Sequence, residues 1–260
     1  MMLHTDSAAA MNPANSESPR FFDSLGIASG SRVLDVGCGN GDLSRFVARL
    51  AGPSGEIIAI DSNQSALKAA CAISKDPDAA PIDYRAVDLS RDLPELGRFD
   101  VIVGRRILMY LPDTSATLSR LVGLAKPGAV LAFQEHARRN VPFDHPALTL
   151  HRQLYDWTWD TVAAEGGDVT LGKNLDEKMR AHGLSIIQAY SEVVLIEPDQ
   201  PSFLPTLMRV MLPRLVKRGV STEGEVQVDT LAQRLEKEHQ AFGGAIVWDQ
   251  AFFVAGRVVG

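Results

Sequence analysis

The chain has 260 residues, 45% of them hydrophobic and 22% charged, which is enough apolar material for one substantial core with an appended cap. A formal net charge of −6 argues against a nucleic-acid partner, which calls for a basic face, and no apolar run approaches the ~20 residues of a membrane span. The two cysteines, Cys38 and Cys71, imply no disulfide framework and suit a reducing cytoplasm.

Residues 1–18 are rich in Ala, Ser and Asn, with neither a basic start nor an apolar stretch. They read as a flexible tail rather than a signal peptide. Arg32 to Val36 is the first strand. Asp42 to Leu50 follows as a helix, with Leu43, Phe46, Val47 and Leu50 at helical spacing. Ile57 to Ile60 is the second strand and ends at Asp61; Ser62 or Asn63 caps a helix that runs through Ala72. Ile82 to Val87 is the third strand, ending at Asp88, and Phe99 to Val103 is the fourth. A helix from Asp113 to Ala125 stops at a Lys126-Pro127-Gly128 turn, and Val130 to Gln134 is the fifth strand.

Beyond Glu135 the simple alternation breaks. A helical stretch carries Tyr155, Trp157 and Trp159, and a further helix, Leu175 to His182, ends at Gly183. Ile186 to Ile196 is a long sixth strand. Phe203 to Arg218, interrupted at Pro213, and Val228 to Ala241 are inserted helices; Ala245 to Val259 is the last strand. The alternation argues for an α/β layered domain with a mainly parallel sheet. Two stretches, about 138–172 and 200–243, far exceed the usual connections of ~2–6 residues. They read as a helical substrate cap on one domain spanning 19–260.

The most informative stretch is Val33 to Ser44. A buried-strand pattern runs into Gly37, Gly39 and Gly41 and then into a helix. Such a turn brings backbone N–H groups and a helix N-terminus to a ligand, and the missing Cβ atoms allow close approach. A dinucleotide fold reads G-x-G-x-x-G at this point, for a pyrophosphate. Here Asp42 takes the third glycine position and Gly41 comes one residue early. Negative charge at Asp35 and Asp42 repels a pyrophosphate but tolerates a cofactor bearing an ammonium group. Asp61, at the end of the second strand, can accept both ribose hydroxyls of an adenosine in either kind of cofactor, or serve as a turn residue.

With Asp35 followed by Gly37, Gly39 and Gly41, the chain resembles the class I S-adenosylmethionine methyltransferases, whose first motif is an acid followed by Gly-x-Gly-x-Gly. The resemblance runs from about Arg32 to Glu135, and the Lys-Pro-Gly turn is also usual in that family. It implies a Rossmann-like, seven-stranded, mostly parallel sheet with an antiparallel final strand, helices on both faces and helical cap insertions. It implies S-adenosylmethionine as cofactor and S-adenosylhomocysteine as product. The cofactor would be held by Asp35, Gly37, Cys38, Gly39 and Gly41, and by Asp61 and Ser62 at the ribose. By the same resemblance Asp88 and the Leu89 backbone meet the adenine, and Gly104 and Arg105 meet the methionine end. The segment Gly104 to Asp113 lacks Asn-Pro-Pro-Tyr, Asp-Pro-Pro-Tyr and Pro-Cys, and has arginines where catechol-type enzymes carry magnesium-binding acids. The implied reaction is metal-free methyl transfer to a small-molecule acceptor, of the bacterial ubiquinone and secondary-metabolite type, with oxygen favoured over nitrogen or carbon. The resemblance also admits a homodimer.

His136 is the candidate general base, since imidazole exchanges protons near neutral pH; it can equally bond a backbone carbonyl. Tyr155 and Trp159 are candidate substrate contacts, though as core residues of a helical cap they need no such role. His145 and His151 are six apart and off one helix face, which gives no metal site. Phe21 and Phe22 either fold over the cofactor or dock a helix. Two other activities stay open: an NAD(P)-dependent reductase, which the glycine spacing and Asp42 oppose, and a S-adenosylmethionine-binding scaffold acting as a cyclase or binding module.

Overall fold

The alternation read from the sequence builds one mixed sheet. A computed structural model describes residues 17–139, 145–198 and 200–259; the expected tail, up to residue 16, lies outside them, as do residues 140–144 of the first insertion. The elements are α1 (Ser18–Asp23), β1 (Arg32–Val36), α2 (Asp42–Ala51), β2 (Glu56–Asp61), α3 (Gln64–Cys71), β3 (Ile82–Ala86), β4 (Phe99–Arg105), α4 (Thr114–Gly123) and β5 (Ala125–His136). They continue with α5 (Thr149–Ala164), α6 (Leu171–Ala181), β6 (Leu184–Ile196), α7 (Leu204–Arg218), α8 (Glu223–Val226), α9 (Leu231–Phe242) and β7 (Ile246–Val258). The strand order is β3-β2-β1-β4-β5-β7-β6. The pairs from β3 through β5 are parallel, and β7 runs antiparallel to β5. The sheet thus has the expected seven strands and the expected antiparallel end. Val33, Leu34, Ile57, Ile58, Ile60, Ile102, Leu131 and Phe133 are all fully buried, the continuous apolar runs of parallel strands covered on both faces.

Three expectations change. Lys126-Pro127-Gly128 does not end before β5 but lies within it. Three residues of β4, Phe99 to Val101, span six of β5, Ala125 to Val130, so the proline falls in a bulge where no ladder N–H is needed. Pro213 does not interrupt α7, because Leu204, Met208, Met211 and Leu215 bury one continuous face across it. The short helix α8 was not foreseen; a capping box between Thr222 and Glu225 starts it.

The chain divides into two compact units. The sheet unit comprises 18–137, 166–192 and the residues from 251 onward. Phe21 and Phe22 are fully buried there. Phe21 packs on Phe253 (ring centroids 5.3 Å apart), and Tyr190 stacks on Phe253 at 4.9 Å. The two phenylalanines therefore dock α1 rather than fold over a ligand. The helical unit takes 138–165 and 193–250. In it Glu238 of α9 accepts the N–H groups of Leu150 and His151, each at 2.8 Å, and so caps the start of α5. Arg214 of α7 holds Glu165 through its Nε at 3.1 Å and its Nη2 at 2.5 Å. No helix among the described residues is long and apolar enough to cross a membrane.

Candidate functional site

The strand order turns at β1, whose neighbours are β2 and β4. Open parallel sheets bind ligands at the carboxyl ends of the strands around such a point. The loop from Gly37 to Gly41 joins β1 to α2 there, and its glycines all have positive φ.

The loop's N–H groups are mostly spent inside the protein. Gly37 and Cys38 donate to the Ile60 carbonyl at 2.8 and 3.0 Å, and Gly41 donates to the Cys38 carbonyl at 2.8 Å. Gly39 donates to Asp61 Oδ2 at 2.8 Å. The turn is thus no ready nest for an anion, which corrects the expectation that these amides face the ligand. A second argument also shifts: Asp42 is paired with Arg45 at 2.5 Å, so the charge that disfavours a pyrophosphate rests on Asp35 and Asp61.

Two glycines differ in what they leave open. A Cβ on Gly37 would lie 2.5 Å from the Ile107 side chain, so Ile107 seals the first turn. A Cβ on Gly39 would meet nothing within 4 Å; that open face admits the body of a ligand against the main chain. Asp35, on β1 four residues before Gly39, is 1% exposed. Ser44 donates to its Oδ2 at 2.5 Å, while Oδ1 has no hydrogen-bond partner among the described residues. Burial pushes the Asp35 carboxyl up to about 6, against the opposing pull of Ser44 and Arg105. A buried carboxylate with one unanswered oxygen, on the strand that leads into a turn with an open main-chain face, fits a cationic, ammonium-bearing ligand.

The other expected residues fall as follows. Asp61 accepts from Gly39 and, through Oδ1, from the Asn63 N–H at 2.7 Å, which fixes its carboxylate at the mouth of the loop. Asn63, not Ser62, caps α3, accepting from Ser65 and Ala66 at 3.0 and 3.1 Å; Ser62 is exposed. The Cys38 thiol packs with Ala59, Leu67 and Tyr84, and burial pushes it far above the usual thiol value. Asp88 is exposed and forms a turn, accepting from the N–H and hydroxyl of Ser90 at 2.9 and 2.6 Å. The Ser90 hydroxyl bond holds its carboxyl below the usual range. Leu89 is buried, and its carbonyl accepts from Arg120 at 2.8 Å. Gly104 is closely packed by Phe133, Ile107 and Val36. Arg105 is half-buried; desolvation and the neighbouring Arg106 charge lower its guanidinium value, while Asp35 and Asp42 attract it.

His136 is 4% exposed at the carboxyl end of β5, with its backbone against Gly172. Tyr155 and Trp159 are buried in the helical unit. The Tyr155 hydroxyl accepts the Arg139 N–H at 2.6 Å, and its ring meets Trp248 edge-on at 5.4 Å.

One buried carboxylate escaped the sequence reading. Glu135, two residues after the apolar run Ala129–Phe133 and still within β5, is fully buried. It accepts the N–H groups of Ile107 (3.0 Å), Leu108 (2.8 Å) and Met109 (3.4 Å). Burial pushes its carboxyl up to about 7. The available signal was a glutamate inside a buried strand, which must find partners.

A family model described as a methyltransferase domain matches residues 27–183. The ubiquinone biosynthesis O-methyltransferase of Rhodopseudomonas palustris (strain HaA2) is 34% identical over 108 residues, 42% of this chain and 41% of that protein. The chain therefore spans under half the length of that curated relative. Among solved structures, phosphoethanolamine N-methyltransferase 2 of Haemonchus contortus, in complex with S-adenosyl-L-methionine, superposes with a TM-score of 0.57 at 16% identity, over 96% of this chain and 53% of that one. A 4+2 cyclase superposes with a TM-score of 0.56 at 20% identity, over 94% of this chain and 82% of that one. Both structural likenesses speak to the fold.

Proposed function

The chain belongs to the methyltransferase-domain family, and from that premise we propose that it transfers a methyl group from S-adenosylmethionine to a small-molecule acceptor, without a metal. The observation that carries the reading is the pairing of the open face of Gly39 with the buried, half-satisfied carboxylate of Asp35. That pairing suits a cationic ligand and disfavours a pyrophosphate. The solved complex of a like-folded N-methyltransferase with S-adenosylmethionine supports the same cofactor. The relative named for O-methylation favours oxygen as the acceptor atom.

The sulfonium supplies an already activated methyl group; the protein supplies binding, alignment and exclusion of water. On this reading Asp61 accepts the ribose hydroxyls, Asp88 and the Leu89 backbone flank the adenine, and Gly104 and Arg105 receive the amino-acid end. His136 takes the proton from an acceptor hydroxyl. Both cysteines, Cys38 buried and Cys71 exposed, are free thiols, which supports a reducing cytoplasmic setting.

Calorimetry with S-adenosylmethionine, S-adenosylhomocysteine and NAD tests the cofactor, and an acceptor screen that follows S-adenosylhomocysteine release tests the reaction. Binding of NAD with indifference to both adenosyl compounds would overturn the reading. Tight adenosyl binding with no turnover on any acceptor would move the protein to the non-methylating scaffold.

A further inference from the structure

Glu135 is a buried group that the proposed chemistry leaves unused. It lies on β5, yet its side chain crosses to the segment after β4 and takes three consecutive backbone N–H groups, from Ile107, Leu108 and Met109. That segment needs an external anchor. Arg106, just before it, sits in the left-handed region at φ 55, which a side-chain-bearing residue holds only under constraint. Its N–H is secured by the Gln134 carbonyl at 2.7 Å, so two adjacent residues of β5 pin the turn. Ile107, the first residue held by Glu135, is the residue whose side chain fills the space at Gly37 and also borders Gly104. Displacing it would loosen both the glycine loop and the end of β4.

We propose that Glu135 is a positioning residue whose ionised carboxylate holds the 107–109 backbone, and through Ile107 the floor of the glycine loop, so that taking up a proton slackens the adenosyl site. This rests on the cofactor reading above only for what the site binds; the anchoring itself concerns the ligand-free protein. The charged and titratable groups on β5 and the elements packed against it are Asp100, Arg105 and Arg106 on and just after β4, Tyr110 in the anchored segment, Arg120 on α4, Lys126 and His136 on β5 itself, Lys173, Asp176, Glu177, Lys178 and Arg180 on α6 with Asp168 in the turn leading into it, and Asp249 and Arg257 on β7. Of these, Arg106 is the one whose charge favours the ionised form, as do the three N–H bonds, while burial opposes it. His136 is adjacent in the strand and so projects to the opposite face of the sheet. The β7 residue opposite Glu135 is the apolar Phe252. A carboxylate accepts these N–H groups more strongly than a neutral acid does, and a proton on Oε2 would face the Met109 N–H donor to donor.

Gln at this position imitates the neutral acid at every pH, and that makes the test. S-adenosylhomocysteine affinity is measured by calorimetry for wild type, Glu135→Gln and Glu135→Ala from about pH 6 to about pH 8.5, alongside amide exchange of residues 107–109 without ligand. The expected result is that Glu135→Gln binds about tenfold more weakly than wild type at about pH 8.5 and within about twofold at about pH 6, with faster exchange at 107–109 only at the higher pH. Glu135→Ala is weaker than both throughout; should it fail to fold, the Gln series decides alone. A constant ratio between wild type and Glu135→Gln across pH, or no difference, overturns the proposal. Wild type that binds no adenosyl compound faults the cofactor reading, and the exchange data then decide the anchor by the same two criteria.

Discussion

Asp35→Asn tests the electrostatics of the candidate site before any ligand is added. The Asp35 carboxylate is buried and accepts the Ser44 hydroxyl at 2.5 Å, and its carboxyl is pushed from 3.8 to about 6, chiefly by desolvation. A displacement of about 2 pH units, at about 1.36 kcal/mol each, makes the ionised side chain cost the folded protein about 3 kcal/mol. The sign follows from proton counting. The folded state holds this proton more tightly than the unfolded state, so the group's contribution to stability is greatest below about pH 4, falls as pH rises to about 6, and is flat above that. Asn imitates the protonated acid and keeps an oxygen for the Ser44 hydroxyl. In urea titrations of the ligand-free protein, Asp35→Asn is expected to be about 3 kcal/mol more stable than wild type at about pH 8, the two converging near pH 4. Other titrating groups, Glu135 among them, are common to both proteins and cancel in the difference. The variant should bind S-adenosylmethionine more weakly, because the ligand's positive charge loses its counterpart. A variant no more stable than wild type at the higher pH, or a difference that does not vary with pH, would refute the reasoning.

Four further substitutions follow from the site. Asp61→Ala removes the acceptor for Gly39 and Asn63 as well as for a ribose, and should weaken S-adenosylmethionine binding by about 1.5–3 kcal/mol in calorimetry; unchanged affinity sinks the ribose assignment. Gly39→Ala should fold with a penalty of about 1–2 kcal/mol for a left-handed alanine but lose most adenosyl affinity, since its methyl enters the open face. Gly37→Ala should lose stability first, because its methyl meets Ile107; equal behaviour of the two variants would count against the assigned ligand face. His136→Ala should lower turnover by about 100-fold or more and leave S-adenosylhomocysteine affinity intact, and full activity across pH would remove His136 from the reaction.

The primary structure alone determined the α/β class, the seven strands and the glycine turn, because these rest on local signals: apolar periodicity, capping residues and missing Cβ atoms. Asp35, Asp61 and Asp88 were legible as a set because each stands at or just beyond the end of a strand pattern. What each carboxylate does was not legible. Asp88 spends itself on Ser90 and Arg91, Asp61 on two loop amides, while Asp35 keeps one oxygen unanswered among the described residues. Likewise Asp42 read as bare charge until Arg45 closed on it, and Lys126-Pro127-Gly128 read as a stop until β4 fixed the register around it. Tertiary structure alone decided that Glu135 serves backbone 26 to 28 positions earlier in the chain. No local pattern can announce such a partner. Hydrogen bonding and desolvation depend on which atoms the fold brings within about 3 Å, and that proximity exists only once β4 and β5 have paired.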